Sequence, residues 1–586
     1  MKAFMQNRLA QILTSYLPIL DWLPKYKKAN LSGDLSAGLT VGIMLIPQGM
    51  AYAMLAGLEP IHGLYAVTVP LVLYALFGTS RQLAVGPVAM VSLLTAAGIG
   101  ALNPSGPEQY LLYALTVAFM VGVLQFGMGL FKLGFVVNFL SHPVISGFTS
   151  AAAIIIGLSQ IKHLFRINLP RSEHIQDMIV AIAQNISDAH LLTFGIGVLG
   201  IIIINYAKKI HPILPGPLVA VVVGIVLVSI FNLGDLGVAV VGSVPGGLPS
   251  LSSPSFDGVT WSALIPIALT ISLVGFAESF AVAKTIQARH KNYKLSANQE
   301  LIGLGMANFG AAFFQGYPVT GGFSRTAVND QAGAKTGLAS IFSAALIVLT
   351  LLFLTGLFYN LPNAILAAVV LVAVSGLIDY KEPIALWKKD KADFAMLVAT
   401  FGITLTLGIE TGIIAGMVLS LLMIIYRASK PHMAKLGRVP NTNIYRNVAR
   451  FPNLEERTDT LMVRIDGPIY FANVEYIKER LDTWLAEYAP HTLKMIVLNM
   501  ESITHLDSTG AHAMKDWINE WRKAEMDVCF TATKGPVRDI LHKWGILDLL
   551  GTDHCFITTD QAIAWLDHKL SPSEKEELDI YSLQSN

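Results

Sequence analysis

From about Leu31 to Tyr426 the chain is a succession of apolar runs separated by short polar breaks; from about Arg427 onward it alternates like an ordinary soluble sequence. Crossing a bilayer as a helix takes ~20 apolar residues. On that measure the apolar region divides into about fourteen segments, at 35–55, 63–79, 84–100, 110–131, 136–160, 190–207, 216–232, 262–284, 296–314, 322–332, 336–359, 362–379, 392–408 and 410–427. The third and tenth are interrupted. One reads Leu83-Ala84-Val85-Gly86-Pro87-Val88-Ala89-Met90, the other Pro318-Val319-Thr320-Gly321-Gly322-Phe323-Ser324-Arg325-Thr326. Each puts Gly or Pro before a helical run too short to span. They stand seven segments apart, as two inverted repeats of seven spans require. The expected fold is an α-helical polytopic membrane protein of about 14 spans in two inverted repeats.

The remainder alternates strand and helix signals. Leu461–Ile465, Met495–Leu498, Val528–Phe530 and Cys555–Ile557 read as strands; Val474–Tyr488, a run from Asp507/Ser508 to Lys523, Val537–Lys543 and Asp560–His568 read as helices. This predicts a small α/β domain. The expected division is a lead-in at 1–30, a membrane domain at 31–430, the α/β domain at 440–569 and a polar tail at 570–586.

Composition supports the membrane class: 53% of residues are hydrophobic and 14% charged, against roughly 25% charged in a soluble domain. The formal net charge of +1 gives no bulk field for nucleic acid. The N-terminus mixes Arg8, Asp21 and Lys25 with apolar residues, unlike a cleavable signal. Loop charge fixes an orientation. With the N-terminus in the cytoplasm, that side receives Lys25, Lys27, Lys28, Arg81, Lys132, Lys208, Lys209, Arg289, Lys291, Lys294, Lys335, Lys381, Lys388, Lys389, Arg427 and Lys430. The opposite loops are nearly free of Lys and Arg, apart from Lys162, Arg166 and Arg171, which form either a basic mouth or a short amphipathic surface helix. Cys529 and Cys555 lack metal spacing, and His142 and His163 are isolated, so no metal, cofactor or enzymatic nucleophile is expected.

Asp34-Leu35-Ser36-Ala37-Gly38-Leu39-Thr40-Val41-Gly42, running into Ile46-Pro47-Gln48-Gly49-Met50-Ala51-Tyr52-Ala53, resembles the first-span signature of the SulP anion transporters. So do Gly78-Thr79-Ser80-Arg81, Val85-Gly86-Pro87, the stretch from Ala277-Glu278-Ser279 to Asn298-Gln299-Glu300-Leu301, and Gly322-Phe323-Ser324-Arg325. The soluble part resembles a STAS domain, with Leu506-Asp507-Ser508-Thr509-Gly510 at its signature loop. The resemblance implies core and gate subdomains, a homodimer, and elevator-like carriage of an anion such as sulfate, bicarbonate, chloride or a dicarboxylate. It also implies that Gln48 and Tyr52 line the pocket and that Thr509 matches a phospho-acceptor position. The alternatives are a packing helix kinked at Pro47 and a plain helix N-cap at Asp507/Ser508.

The residues themselves suit an anion. Two facing helix N-termini offer unpaired N–H groups and about half a positive charge each. Val88, Ala89, Phe323 and Ser324 lie where those amides fall, and Arg325 adds a permanent charge inside the membrane. The alternatives are an arginine tied to backbone carbonyls and a simple N-cap at Ser324. Glu278 stands alone in an apolar span, where the neutral acid is favoured over the carboxylate. It could couple H⁺ to the anion, help hold Na⁺, or pair with Arg325 or Lys284. Asp330, one turn beyond Arg325, is expected at the polar cytosolic end of its half-helix.

The expected function is a proton-coupled secondary transporter of an inorganic anion, sulfate first. The alternatives are a Na⁺-dependent bicarbonate transporter, an uncoupled exchanger or channel, or a membrane-anchored signalling protein recruiting cytosolic partners through its STAS-like domain. A polar midplane site favours transport, since an anchor has no use for one.

Overall fold

The computed structural model describes residues 14, 16–135, 141–169, 174–210, 216–290, 293–489 and 491–570. Arg171, Lys291 and the tail beyond residue 570 lie outside these. The chain divides into two compact units, Met1–Ser420 and Leu421–Asn586.

The first unit is helical, and each of the fourteen apolar segments carries a helix. Among the described residues six helices are long and apolar enough to cross a membrane: Lys28–Leu55, Pro60–Phe77, Pro107–Leu130, His142–Phe165, Gly258–Gln287 and Thr411–Ser429. Shorter apolar helices fill in between them, among them Ala89–Gly100, Gly216–Phe231, Leu338–Phe353 and Asn363–Ser375. The basic stretch contributes the short helix Ile161–Phe165, and a separate helix, Ile175–Asn185, follows it. That second helix carries polar and apolar residues on opposite faces and is joined to Leu191–Ala207 by a bend of 119°.

Between lipid-facing helices there is little hydrophobic drive, so small residues that allow close backbone approach decide the packing. Gly38 shows this. A Cβ there would lie 2.6 Å from the Ala339 carbonyl oxygen, so Leu31–Leu55 can meet Leu338–Phe353 only with glycine at the contact. Pro47 does not interrupt Leu31–Leu55, which continues as one helix of 25 residues.

Two fully buried carboxylates close turns between the halves of this unit. Glu300 accepts from Tyr74 Oη (2.6 Å), Thr79 N (2.6 Å), Thr79 Oγ1 (2.5 Å) and Ser80 N (3.0 Å). Asp34 accepts from Lys335 N (2.6 Å), Thr336 N (2.9 Å), Thr336 Oγ1 (2.7 Å) and Tyr26 Oη (3.2 Å). A buried carboxylate persists only when its oxygens are paired in this way. Each half therefore supplies the acid that holds a turn of the other.

The second unit is a six-stranded sheet. Its order is Tyr445–Asn447, His432–Arg438, Thr460–Asp466, Met495–Asn499, Asp527–Thr531, Cys555–Phe556. The first two pairings are antiparallel and the remaining three parallel. Parallel strands are covered on both faces: Ile496 and Leu498 pack into one core, Met495 and Val497 into the other. His432–Arg438 and Tyr445–Asn447 lie upstream of every strand read from the sequence. Cys529 and Cys555 are free thiols. Burial, with Asp553 nearby, pushes the Cys555 thiol up to about 11, so it is inert at neutral pH.

Candidate functional site

The two interrupted segments meet. Val85–Gly86 and Thr320–Gly321 form a two-stranded antiparallel ribbon, with Val85 opposite Gly321 and Gly86 opposite Thr320. Each strand leads into a short helix, Ala89–Gly100 of 12 residues and Phe323–Gln331 of 9 residues. Because the strands are antiparallel, the helices leave in opposite directions with their N-termini at the crossing. First-turn N–H groups have no carbonyl one turn earlier, so both unpaired sets face the same region.

Irregular backbone at membrane depth needs partners for every polar group. Asn308 supplies two: its Nδ2 donates to Val319 O at 3.0 Å and its Oδ1 accepts from Val319 N at 2.9 Å. Gln125 Oε1 takes a further Asn308 Nδ2 bond at 3.0 Å. Ser279 Oγ accepts from Gly321 N at 2.6 Å and shares a 2.6 Å bond with Thr320 Oγ1, which also donates to Gly275 O at 2.7 Å. On the opposite strand, Ala84 N donates to Thr326 Oγ1 at 3.0 Å and Gly322 N to Ala84 O at 3.1 Å. The crossing is thus a hydrogen-bonded rack rather than a loop.

Arg325 is 3% exposed. Its Nη1 donates to Pro87 O at 2.6 Å, tying the second half-helix to the turn before the first. Its Nε and Nη2 are buried without a hydrogen-bond partner. Buried donors on a charged group are costly to leave unpaired, so two bonds of this guanidinium are available to an anion. The tie to a backbone carbonyl that the sequence offered as an alternative is therefore present, and it leaves two of the guanidinium nitrogens unpartnered. Gly322 makes its position possible: a Cβ there would lie 2.8 Å from Arg325 Nη2 and 2.9 Å from Cζ.

Gln48 and Tyr52 are buried one turn apart on Leu31–Leu55, and Gln48 Oε1 has no partner. Tyr52, Glu278 and Arg325 lie close enough to feel one another's charge. Glu278 is half-buried, with Oε2 shielded and unpartnered. It makes no ion pair with Arg325 or Lys284. Val88 and Ala89 are buried at the start of the first half-helix, whereas Phe323 and Ser324 are exposed. Gly322, not Ser324, is the N-cap, which leaves Ser324 in the first turn. Asp330 is not simply solvated: it pairs with His290 and with Arg289 at 3.5 Å. A cavity of about 1190 Å³ lies further along the first half-helix, reached at Leu93 and Ala97 and rimmed by His62 and His163. It does not include Gln48 or Arg325.

In the second unit Asp507 caps Ser508–Lys523, accepting from Gly510 N at 2.7 Å and Phe471 N at 3.0 Å. Thr509 is exposed in the first turn of that helix. Sequence reading missed Asn308, Thr320 and the Pro87 carbonyl. An Asn in the middle of an apolar run was the available signal for the first.

Comparison with known proteins agrees with this architecture. Residues 31–400 match the sulfate permease family and residues 451–562 the STAS domain. Sulfate transporter 4.1, chloroplastic, of Arabidopsis thaliana is 39% identical over 574 residues, covering 95% of this chain and 83% of its own. Sulfate transporter 3.1 of the same plant is 35% identical, with 96% and 90% covered. The murine Solute Carrier 26 family member A9 anion transporter, solved in the inward-facing state, superposes with a TM-score of 0.88 at 25% identity, covering 95% of each chain. The transmembrane domain of a cyanobacterium bicarbonate transporter, BicA, superposes with a TM-score of 0.59 at 25% identity, covering 67% of this chain and 98% of its own. The family match over residues 31–400 and relatives above 30% identity over nearly the whole chain settle the family: the chain belongs to the sulfate permease family of membrane anion transporters and carries a STAS domain.

Proposed function

We propose that the protein is a secondary active sulfate transporter, with the anion held where the half-helices cross. The observation that carries this reading is Arg325, a buried guanidinium fixed through Nη1 to Pro87 O with Nε and Nη2 unpartnered. A tetrahedral dianion takes two donors from a guanidinium in one plane and further donors from backbone amides. Val88, Ala89, Phe323 and Ser324 mark the half-helix starts that would supply those amides. Gln48 and Tyr52 close the side formed by Leu31–Leu55. The naming of the plant relatives as sulfate transporters supports sulfate over other anions.

Glu278 is the coupling group of this reading. Its unpartnered oxygen lies within electrostatic reach of Arg325. Protonating it removes a negative charge beside an arriving dianion, which links H⁺ entry to sulfate entry. The same oxygen could instead hold Na⁺, and the structural likeness to a bicarbonate transporter keeps that second reading in view. The rack of hydrogen bonds makes both half-helices one rigid body, as an elevator-like movement of a core past a gate requires. The loop charges support a cytoplasmic N-terminus and STAS domain, a homodimer is the expected assembly, and the exposed Thr509 is the regulatory position.

The test is initial uptake of labelled sulfate, bicarbonate and chloride into proteoliposomes, with pH and Na⁺ gradients imposed separately. Sulfate uptake driven by an inward proton gradient without Na⁺ supports the reading. Bicarbonate uptake with an absolute Na⁺ requirement and no sulfate flux overturns it.

A further inference from the structure

The segment between the apolar helices Asn363–Ser375 and Lys391–Leu407 carries a short helix of its own, Lys381–Lys389. Residues 376–380 lead into it, and Asp390 alone separates it from the next apolar helix. Five residues reach at most about 18 Å when fully extended, so this helix is held at the ends of the two apolar helices. Its outer surface is divided lengthwise. At about 3.6 residues per turn, Ile384 and Trp387 share one side, and Tyr380, just before the helix, falls beside them. Lys381, Lys388 and Lys389 occupy the other side. Tyr380 is 67%, Ile384 57% and Trp387 56% exposed, while Leu386 turns inward and is half-buried.

The apolar side is fixed in place. Phe394 meets the Trp387 ring edge-on with centroids 5.0 Å apart, and Lys391 Nζ stands 3.4 Å from the indole centroid. Lys391 also begins an exposed stripe on the next helix that continues through Ala395 and Val398. The patch therefore runs directly into the exposed side of an apolar membrane helix. The charges around it are one-sided, because the acids of this segment are committed elsewhere. Asp379 accepts from Lys381 N at 2.9 Å and Glu382 N at 3.1 Å. Asp390 accepts from Ala392 N at 3.0 Å and Asp393 N at 3.1 Å. Glu382 lies 3.3 Å from His142 Nδ1. Among the described residues, no carboxylate comes within ion-pair distance of Lys381, Lys388, Lys389 or Lys391.

A helix with Trp and Ile along one side and lysines along the other is suited to lie in the plane of a bilayer interface. The rings and the isoleucine enter the boundary of the acyl chains, and the lysine stems let their ammonium groups reach the headgroups. We infer that Lys381–Lys389 lies in the membrane interface and binds anionic phospholipid, with Tyr380, Ile384 and Trp387 in the acyl boundary and Lys381, Lys388 and Lys389 on the headgroups. Each lysine beside an anionic leaflet strengthens association about fivefold, so three of them together enrich anionic lipid at this helix. The lipid surface is favoured over a soluble partner because the apolar patch is continuous with the exposed stripe of Lys391–Leu407. The inference does not depend on which anion is transported.

The experiment attaches the fluorophore NBD at Ile384→Cys in the full chain. Both native cysteines are buried, and unsubstituted protein carried through the same labelling gives the background. The labelled protein is reconstituted in phosphatidylcholine liposomes that contain equal mole fractions of doxyl-labelled phosphatidylcholine or doxyl-labelled phosphatidylglycerol. Both lipids should quench the emission, the anionic one at least about twofold more strongly. Lys381→Gln/Lys388→Gln/Lys389→Gln in the labelled protein should remove that difference, and Lys381→Arg/Lys388→Arg/Lys389→Arg should keep it. All the substituted residues are exposed, and melting temperatures in detergent check that each variant folds. Tyr380→Cys is the second labelling position, which keeps the test open if Ile384→Cys does not fold. Absence of quenching at both positions means that protein, a second copy of this chain included, covers the patch, and overturns the inference. Equal quenching by the two lipids, or a preference untouched by the glutamine substitutions, overturns it as well.

Discussion

Arg325→Ala separates a binding arginine from a structural one. In the folded protein this guanidinium is 3% exposed and has one hydrogen bond, from Nη1 to Pro87 O at 2.6 Å. Deleting it forfeits that bond, about 1 kcal/mol, but also removes a buried charge with no carboxylate in ion-pair contact, whose burial is itself costly. The two effects oppose each other, so the unliganded protein should melt within a few degrees of wild type. Anion binding behaves differently. If Nε and Nη2 donate to the anion, two charge-assisted bonds disappear, each worth about 1.5–3 kcal/mol. Even one such loss weakens affinity at least about tenfold, and both together about a hundredfold or more. Ligand stabilisation follows RT ln(1 + [L]/Kd), so at a hundred times the wild-type Kd wild type gains about 2.7 kcal/mol and a hundredfold weaker variant about 0.4 kcal/mol.

The assay is a thermal-shift titration of detergent-purified protein with sulfate, alongside uptake into proteoliposomes. Arg325→Lys keeps charge but loses the planar fork, and should recover only part of the shift. A variant that folds and shows the full wild-type shift would falsify the assignment of Arg325 to the anion. A variant that fails to fold would move it to the structural role, and Gly322→Ala then decides. The Gly322 backbone has φ −97°, open to alanine, but its Cβ would press on the guanidinium from 2.8 Å. Weaker sulfate binding in a stable Gly322→Ala protein restores the binding role.

Asn308→Ala should lower the melting temperature and uptake together, because it leaves both Val319 N and Val319 O without the partners now at 2.9 and 3.0 Å, at about 1–3 kcal/mol for each buried orphan; unchanged melting would show that the ribbon holds without it. Glu300→Ala should destabilise more than Glu278→Ala, since four donors converge on Glu300 and Glu278 Oε2 has none; equal melting shifts would contradict this ordering. Wild-type sulfate uptake should rise as external pH falls, and Glu278→Gln should bind sulfate while losing that dependence; an identical pH profile in both proteins removes Glu278 as the coupling group. In the STAS unit, the hydrogen bonds from Arg457 hold Asp459 below the usual carboxylate range. Its contribution is therefore complete above about pH 4 and is lost as pH falls further and the acid protonates. Amide exchange in Thr460–Asp466, corrected for intrinsic rates, should accelerate on acidification below that point in wild type and change less in Asp459→Asn.

How far the site was legible depends on which physical signal each residue leaves in the sequence. Span-length apolar runs are a one-dimensional signal, and each of the fourteen segments carries a helix. The interruption before Ala89 and before Phe323 was equally visible, because Gly and Pro mark where a helix cannot continue. What could not be read was who holds the interruptions in place. Glu300 sits 221 residues from Thr79, and Asp34 302 residues from Thr336; nothing local says that an acid at a helix start will cap a distant turn. The sequence motifs around 34, 79 and 300 looked like separate signatures, whereas two of them form a single knot. Arg325 was legible as an intramembrane cation, but its tether to Pro87 O was not, since a backbone carbonyl has no sequence signature. Strands His432–Arg438 and Tyr445–Asn447 escaped for another reason. Tyr445–Asn447 is a short, partly exposed edge strand of three residues, and His432–Arg438, though paired on both sides and largely buried, mixes His, Lys, Gly and Arg with its apolar residues, so neither shows the apolar run or alternation that reveals a strand.

The distribution of partners across the crossing carries the mechanism. Ser279, Asn308 and Thr326 are bonded to the backbone of the ribbon and its flanks, and the Thr320 hydroxyl to Gly275 O and Ser279 Oγ, while Gln48 Oε1, Glu278 Oε2 and two Arg325 nitrogens are buried without partners. Unpaired buried groups are expensive and are otherwise rare in a well-packed protein. These four atoms belong to side chains around the crossing, next to groups that are fully paired, although other such atoms, Asn363 Oδ1 and Thr400 Oγ1 among them, lie elsewhere. A rack so completely satisfied has no cheap internal motion, so an anion held there, as proposed, would be displaced only together with the half-helices. On the proposed reading, such a joint movement would expose the same Arg325 to either side without reordering its contact to Pro87. In that arrangement the charge proposed to bind the anion and the frame proposed to carry it would be one unit. Loosening the frame, as in Asn308→Ala, should therefore damage transport even though Asn308 is not expected to touch the anion.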